Sequence, residues 1–190
     1  MSSIPVQNLK NHFLIAMPGL VDPSFAETLT LICDHNKDGA LGIIVNRPTE
    51  LSMGEIFRQV GIRDHDQTPV SGHSVYSGGP VSQERGFVLN SGERAWESSL
   101  CVGHGIQLVT SSDILIAIAE SRGPAHSLVA LGYAGWGAGQ LESELSRNTW
   151  LTCKATPDIV FSTPYHLRLN AAADSLGVDL NLISDQVGHA

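Results

Sequence analysis

A cysteine and a histidine two residues apart in an extended segment share a face. An imidazolium beside a thiol lowers its pKa and creates thiolate, the species that does nucleophilic and redox chemistry. The run Cys33-Asp34-His35-Asn36 has that spacing. Read as the end of a strand, it points Cys33 and His35 to one side and Asp34 to the other, so Cys33 and His35 are the candidate reactive pair, with Asp34 and Asn36 beside them. The plainer meaning of the same residues is a small buried cysteine, because free cysteine is among the most buried residue types. Downstream, Asn46-Arg47-Pro48 offers an amide and a planar guanidinium fork to a carboxylate or phosphate, or to a surface ion pair. In Ser77-Gly78-Gly79-Pro80 the amides of Gly78 and Gly79 are unshielded, as in an anion nest or a tight turn. The glycine-rich stretch from Gly132 to Gly139 carries Tyr133 and Trp136 and precedes Gln140, Glu142 and Glu144. Its tryptophan either packs as a lid on the core or meets a ligand, and Gln140 and Glu142 are the expected partners for the indole N–H.

Other chemistries fail on spacing. A dinucleotide-binding loop counted from Gly135 needs a glycine where Gln140 stands, and the stretch has no lysine for a phosphate-binding loop of the Walker kind. Gly72-His73-Ser74 begins like a nucleophile elbow, yet its fifth position is Tyr76 and the segment reads as strand rather than helix. The eight histidines include no H-E-x-x-H and no H-x-H pair. The reading therefore carries no cofactor and no metal. A hydrolase using Asp34, His35 and Glu142 stays open, because carboxylates can meet across a fold from any spacing.

The elements that must position these residues are short. Nineteen glycines and nine prolines are dispersed through 190 residues of which 16% are charged, a texture that suits many strands joined by tight turns. Strands are expected at 12–16, at 28–33, and at 41–46 across the turn Asn36-Lys37-Asp38-Gly39, so the last two form a hairpin. Further strands are expected at 75–76, 86–89, 100–102, 106–110, 127–131 and 150–154. Asp22-Pro23 opens one or two helical turns, and Ser52 with Glu55 forms a capping box for a helix ending at Gly61. Ser112-Asp113 caps a helix over 114–121. Helices also fall at 140–146, at 168–176 before Gly177, and around Leu182. Strands and helices interleave without the regular alternation of a doubly wound sheet, so the class is α+β, with enough apolar residues for one core and one domain over 1–190.

The net charge of −8, from 19 acids against 11 Lys and Arg with no three consecutive bases, disfavours direct nucleic-acid binding. No apolar stretch approaches the ~20 residues that cross a bilayer, and the first residues lack the pattern of a signal peptide. Three cysteines without a C-x-x-C argue for reduced thiols. Together these point to a soluble, cytoplasmic protein.

The stretches His12-Phe13-Leu14-Ile15-Ala16-Met17-Pro18, Ile32 to Asn36, Gly42-Ile43-Ile44-Val45-Asn46-Arg47-Pro48, Gly78-Gly79-Pro80, Leu131 to Ala134, Gly139 to Glu142, Trp150-Leu151 and Gly188-His189-Ala190 resemble the bacterial YqgE/AlgH family (UPF0301-type), nearly end to end and in order. The resemblance implies a single α+β domain with a bifurcated sheet folded into a pseudo-barrel and flanked by helices. It also implies a bacterial cytosolic location and a link with regulation of alginate synthesis. Asn90 stands where relatives often carry histidine, and Leu169 where they can carry tryptophan. Because distinctive residues concentrate in turns, the favoured reading is a regulatory protein that binds a small ligand or a protein partner rather than an enzyme. Its contact residues would be Asp34, Asn36, Asn46, Arg47, Gly78, Gly79, Tyr133, Trp136, Gln140 and Glu142. The alternative is a thiol-dependent enzyme or redox sensor centred on Cys33.

Overall fold

The computed structural model describes residues 8–63 and 68–187, with side chains described to residue 183. The first residues and the 188–190 motif read above lie outside the described residues. Strands β1 (His12–Ala16), β2 (Leu29–Asn36) and β3 (Gly39–Ile44) form an antiparallel meander, and β10 (Trp150–Lys154) pairs with the free edge of β1. Both faces of β2 are buried, with Leu29, Leu31 and Cys33 in one core and Ile32 in another. That explains an apolar run without polar alternation.

The strand that organises the sheet is β9 (Ser127–Gly137). One edge pairs antiparallel with β6 (Val81–Ser91). The other edge takes two strands in turn: β5 (Ser74–Ser77), parallel at Ala130 and Leu131, then β3, antiparallel from Ala134 to Gly137. The sheet forks at Gly132, which has φ +76° and where an added Cβ would lie 2.4 Å from the Gly79 carbonyl oxygen, so only glycine fits. Strand β4 (Pro48–Ser52) completes the short branch through β5, while β7 (Ser99–Gly103) and β8 (Ile106–Val109) extend the sheet beyond β6. The result is a single α+β domain on a curled, half-barrel sheet with several helices.

The fork changes which way side chains point. Leu128 and Ala130 face the core that holds Phe13 and Leu31; past Gly132, Ala134 and Trp136 face the opposite side, with Leu14 and Ile32. The first core lies under the π-helical turn Asp158–Ser162, α4 (Arg168–Asp174) and α5 (Leu180–Val187). A second lies under α1 (Met53–Gln59) and α2 (Asp113–Ala119), and the third under α3 (Gln140–Ser146). The capping box forms as expected: the Glu55 amide donates to the Ser52 hydroxyl, and the Ser52 amide donates to the Glu55 carboxylate at 2.7 Å. Three expectations need correcting. The stretch Tyr133 to Gly137 is strand, not loop, because it closes the sheet against β3. The helical turns expected after Asp22 are hydrogen-bonded turns only, closed by the amides of Phe25 and Ala26 on the Asp22 carbonyl. Strand β4 was not expected; its Pro48 is tolerated because this branch ends in a two-stranded edge.

Candidate functional site

The pair Cys33 and His35 does not share a face. The β2–β3 register shifts between Ile32 and Asp34, a β-bulge that inserts one residue and reverses the alternation. Cys33 points into the half-barrel core and is 0% exposed, and burial pushes its thiol far above the ordinary value. Asp34 lies opposite Leu41, on the side of that core. His35 lies opposite Ala40, toward Trp136. Both ring nitrogens of His35 are engaged. Nδ1 accepts from the Leu9 amide at 3.0 Å, which leaves Nε2 to donate to Glu142 Oε1 at 2.9 Å. The imidazole is thus a buried link between the chain start, the hairpin and α3, with no access to the thiol. The thiolate reading loses its nucleophile, and the Asp34–His35–Glu142 hydrolase loses its geometry.

Trp136 is held by Glu144 rather than by Gln140 or Glu142. Glu144 Oε2 accepts from the indole N–H of Trp136 and from that of Trp150, each at 2.9 Å, while Oε1 accepts from Gln140 Nε2. Gln140 Oε1 in turn accepts from the Gly137 amide at 3.0 Å. Phe25 packs against both indoles, with ring centroids 6.0 and 5.7 Å away. This is a closed aromatic clasp in which each polar atom named has its partner.

The remaining expected contacts are dispersed. Asn46 accepts from the Leu29 amide and donates to the Glu27 carbonyl, and Arg47 donates to the carbonyls of Ser24 and Ala26, so both pin the β1–β2 connection at the far end of the hairpin. Asn36 accepts from the Asp38 amide within the turn. Tyr133 packs its ring on Phe87. Gly78 and Gly79 sit in the fork: the Gly78 amide donates to the Leu131 carbonyl, and a Cβ on Gly79 would lie 2.1 Å from the Tyr133 carbonyl carbon. The fold brings His35, Trp136, Gln140 and Glu142 together near the hairpin tip, and places Asn46, Arg47, Gly78 and Gly79 elsewhere.

A concavity lies at the opposite end of β9. A cleft of about 650 Å³ opens between the 69–74 segment, the 121–127 segment and the π-helical turn, with Tyr76, Leu128 and Arg168 in its wall. Its size suits a small molecule. His126 stacks on Phe161 at the rim, with centroids 6.1 Å apart and planes 26° from parallel. Arg168 is 6% exposed. Its Nε donates to the Thr163 carbonyl at 2.8 Å and its Nη1 to the carbonyl of buried Val45, and the guanidinium carbon lies 5.3 Å from the centre of the Tyr76 ring. Burial lowers its pKa from the ordinary value, opposed by Tyr76. Among the described residues it forms no ion pair with a carboxylate.

Sequence reasoning missed this site. One signal was present: a lone arginine opening a helix opposes the helix dipole, so something else must hold it there. Among the described residues, no three His, Cys, Asp or Glu side chains cluster with metal-ligand geometry, and no helix is long and apolar enough to cross a membrane.

The fold and site define an α+β domain on a forked, curled sheet, with an arginine in the wall of a cleft at one end of the fork. The chain belongs to the AlgH-like family, whose model matches residues 13–181. It is 50% identical over 192 residues to a UPF0301 protein of Stutzerimonas stutzeri, covering 100% of both chains. It is 51% identical to one from Saccharophagus degradans, covering 96% of this chain and 89% of that one. The solution structure of the AlgH protein from Pseudomonas aeruginosa superimposes with a TM-score of 0.80 at 47% identity over 100% of both chains. A crystal structure of a protein from Corynebacterium diphtheriae, 19% identical, shares the fold with a TM-score of 0.70 over 93% of this chain and 91% of that one.

Proposed function

We propose that the chain is a cytoplasmic regulatory protein that acts by binding a small molecule in the cleft beside Arg168, not by catalysing a reaction. The observation that carries this reading is the combination of a ligand-sized concavity with a buried arginine in its wall that meets no carboxylate among the described residues, whereas Asn46, Arg47, Trp136 and Glu142 are already bonded to backbone or side-chain groups of the fold. The link of the family name with alginate regulation fits a regulator, and the binding of ligand would be its input. The thiol alternative is disfavoured by the burial of Cys33 and by the bulge that separates it from His35.

The test is to equilibrate the purified protein with a bacterial metabolite extract, identify retained compounds by mass spectrometry, and map each by amide chemical-shift perturbation. The expected result is perturbation centred on residues 121–128 and 158–163. Compounds that instead shift only the hairpin tip around Asn36 and Gly137 would overturn the cleft as the site.

A further inference from the structure

Among the described residues, the charge of the cleft wall runs opposite to that of the chain. The protein carries 19 acids against 11 Lys and Arg, yet among the described residues the cleft wall contains no aspartate or glutamate. Among the described residues its one permanent charge is Arg168, and the other ionisable side chains of the wall are His73, His126 and Tyr76. The groups around the guanidinium are the Thr163 and Val45 carbonyls and Tyr76, through its ring face and its hydroxyl. These are dipoles and a π-face; they orient the cation without neutralising it. A buried cation in this state is stabilised by any anion that reaches it, and the low local dielectric makes that preference stronger than at an exposed arginine. Beside it, Leu128, Val129, Val160 and Phe161 give the cleft an apolar wall, while the hydroxyls of Ser74 and Ser127 add neutral hydrogen-bonding groups.

Resting on the binding reading above, we infer that the ligand is a compact anion, a carboxylate or phosphate group on a small apolar body, and that Arg168 selects it by charge. The apolar body lies against Phe161 and Leu128, and the anionic group turns inward to the guanidinium. His126, exposed and stacked on Phe161 at the rim, lies where it borders the ligand without being needed for charge selection.

The experiment uses the full chain, isotopically labelled, and four probes of similar shape at matched ionic strength: phenyl phosphate, benzoate, benzamide and benzylamine. Both anions should shift the amides of residues 121–128 and 158–163, with affinity at least about tenfold above that of benzamide, and benzylamine should leave them unmoved. Ser127→Asp, which places a carboxylate in the cleft wall at an exposed position, should weaken both anions at least about tenfold and leave benzamide binding unchanged. Arg168→Met should abolish the difference between benzoate and benzamide. Because Arg168 also ties two carbonyls together and its variant can fail to fold, Ser127→Asp carries the test independently. Whichever anion binds more tightly identifies the head group. Equal shifts from benzoate, benzamide and benzylamine, or anion binding indifferent to Ser127→Asp, would overturn selection by Arg168 while leaving the cleft as a ligand site. Extract compounds that bind in the cleft although neither anion does would overturn the anion inference alone. Silence of the cleft toward both the probes and the extract would end both readings.

Discussion

Removing the carboxylate of Glu144 tests whether Trp136 is structural. Glu144→Ala orphans the indole N–H groups of Trp136 and Trp150, whose residues are 5% and 4% exposed and so have no ready access to water. A buried donor left without its partner costs about 1–3 kcal/mol, so the two together cost about 2–6 kcal/mol. For a chain of this size each kcal/mol lowers Tm by about 2–4 °C, and a central loss of about 4 kcal/mol is about 8–16 °C. Urea unfolding followed by tryptophan fluorescence and by far-UV circular dichroism measures the loss. A double-mutant cycle makes the reading specific: with Trp136→Phe already in place only one indole is orphaned, so Glu144→Ala should cost about 1–3 kcal/mol less than in the parent protein. A loss below about 1 kcal/mol, or a cost that Trp136→Phe leaves unchanged, would refute the clasp. Trp136 would then return as a candidate for ligand contact.

Three further outcomes follow from the same geometry. In the folded protein a soluble maleimide should label exposed Cys101 at least about a thousandfold faster than Cys33, which reacts only after the sheet opens, and comparable rates by mass spectrometry would revive the thiol reading. Arg47→Ala frees the carbonyls of Ser24 and Ala26, so stability should fall by about 1–3 kcal/mol and the amides of Phe25 and Ala26 should exchange about 10–100-fold faster; unchanged exchange would mean that Arg47 does not pin this connection. For Asp113, partial desolvation pushes the carboxyl upward, but hydrogen bonds from the Ser111 hydroxyl and the Glu97 amide outweigh it and hold it below the ordinary aspartate value. Its contribution is therefore present above pH about 4 and is lost as pH falls through the lower folded value. In urea titrations from pH 7 down to 3, Asp113→Asn should be less stable at neutral pH and lose less on acidification, and parallel losses in the two proteins would contradict the sign.

Much of the fold was legible because its elements obey local rules. The capping box at Ser52 and Glu55, the turn from Asn36 to Gly39 and the strand His12–Ala16 each rest on residues within one or two turns of each other. What was not legible depends on pairing across the chain. Nothing within Gly132 to Gly137 distinguishes a glycine-rich loop from a glycine-rich strand. The difference is that Gly79 approaches Gly132 so closely that glycine is required there and that β3 pairs with Ala134 to Gly137, and those partners lie far away in sequence. The same limit applies to the expected pairing of Cys33 with His35. Period-two alternation places Cys33 beside His35, and only the pairing with β3 reveals the extra residue that turns His35 to the other face.

The two arginines show why a candidate site residue is hard to recognise from type and spacing. Arg47 and Arg168 each direct guanidinium nitrogens at two backbone carbonyls, so by hydrogen bonding alone they are equivalent. They differ in surroundings. Arg47 is only half-buried, so water and salt screen its charge and its fork serves the chain connection it ties. Arg168 is sealed against Tyr76, faces a cleft and meets no carboxylate among the described residues, so its field extends into the cleft weakly screened. An arginine that merely braces the fold works equally well with its charge screened. One whose charge is left unscreened toward a cavity adds a preference for anions that bracing does not require, and on that physical difference the assignment of the site to Arg168 rather than Arg47 rests.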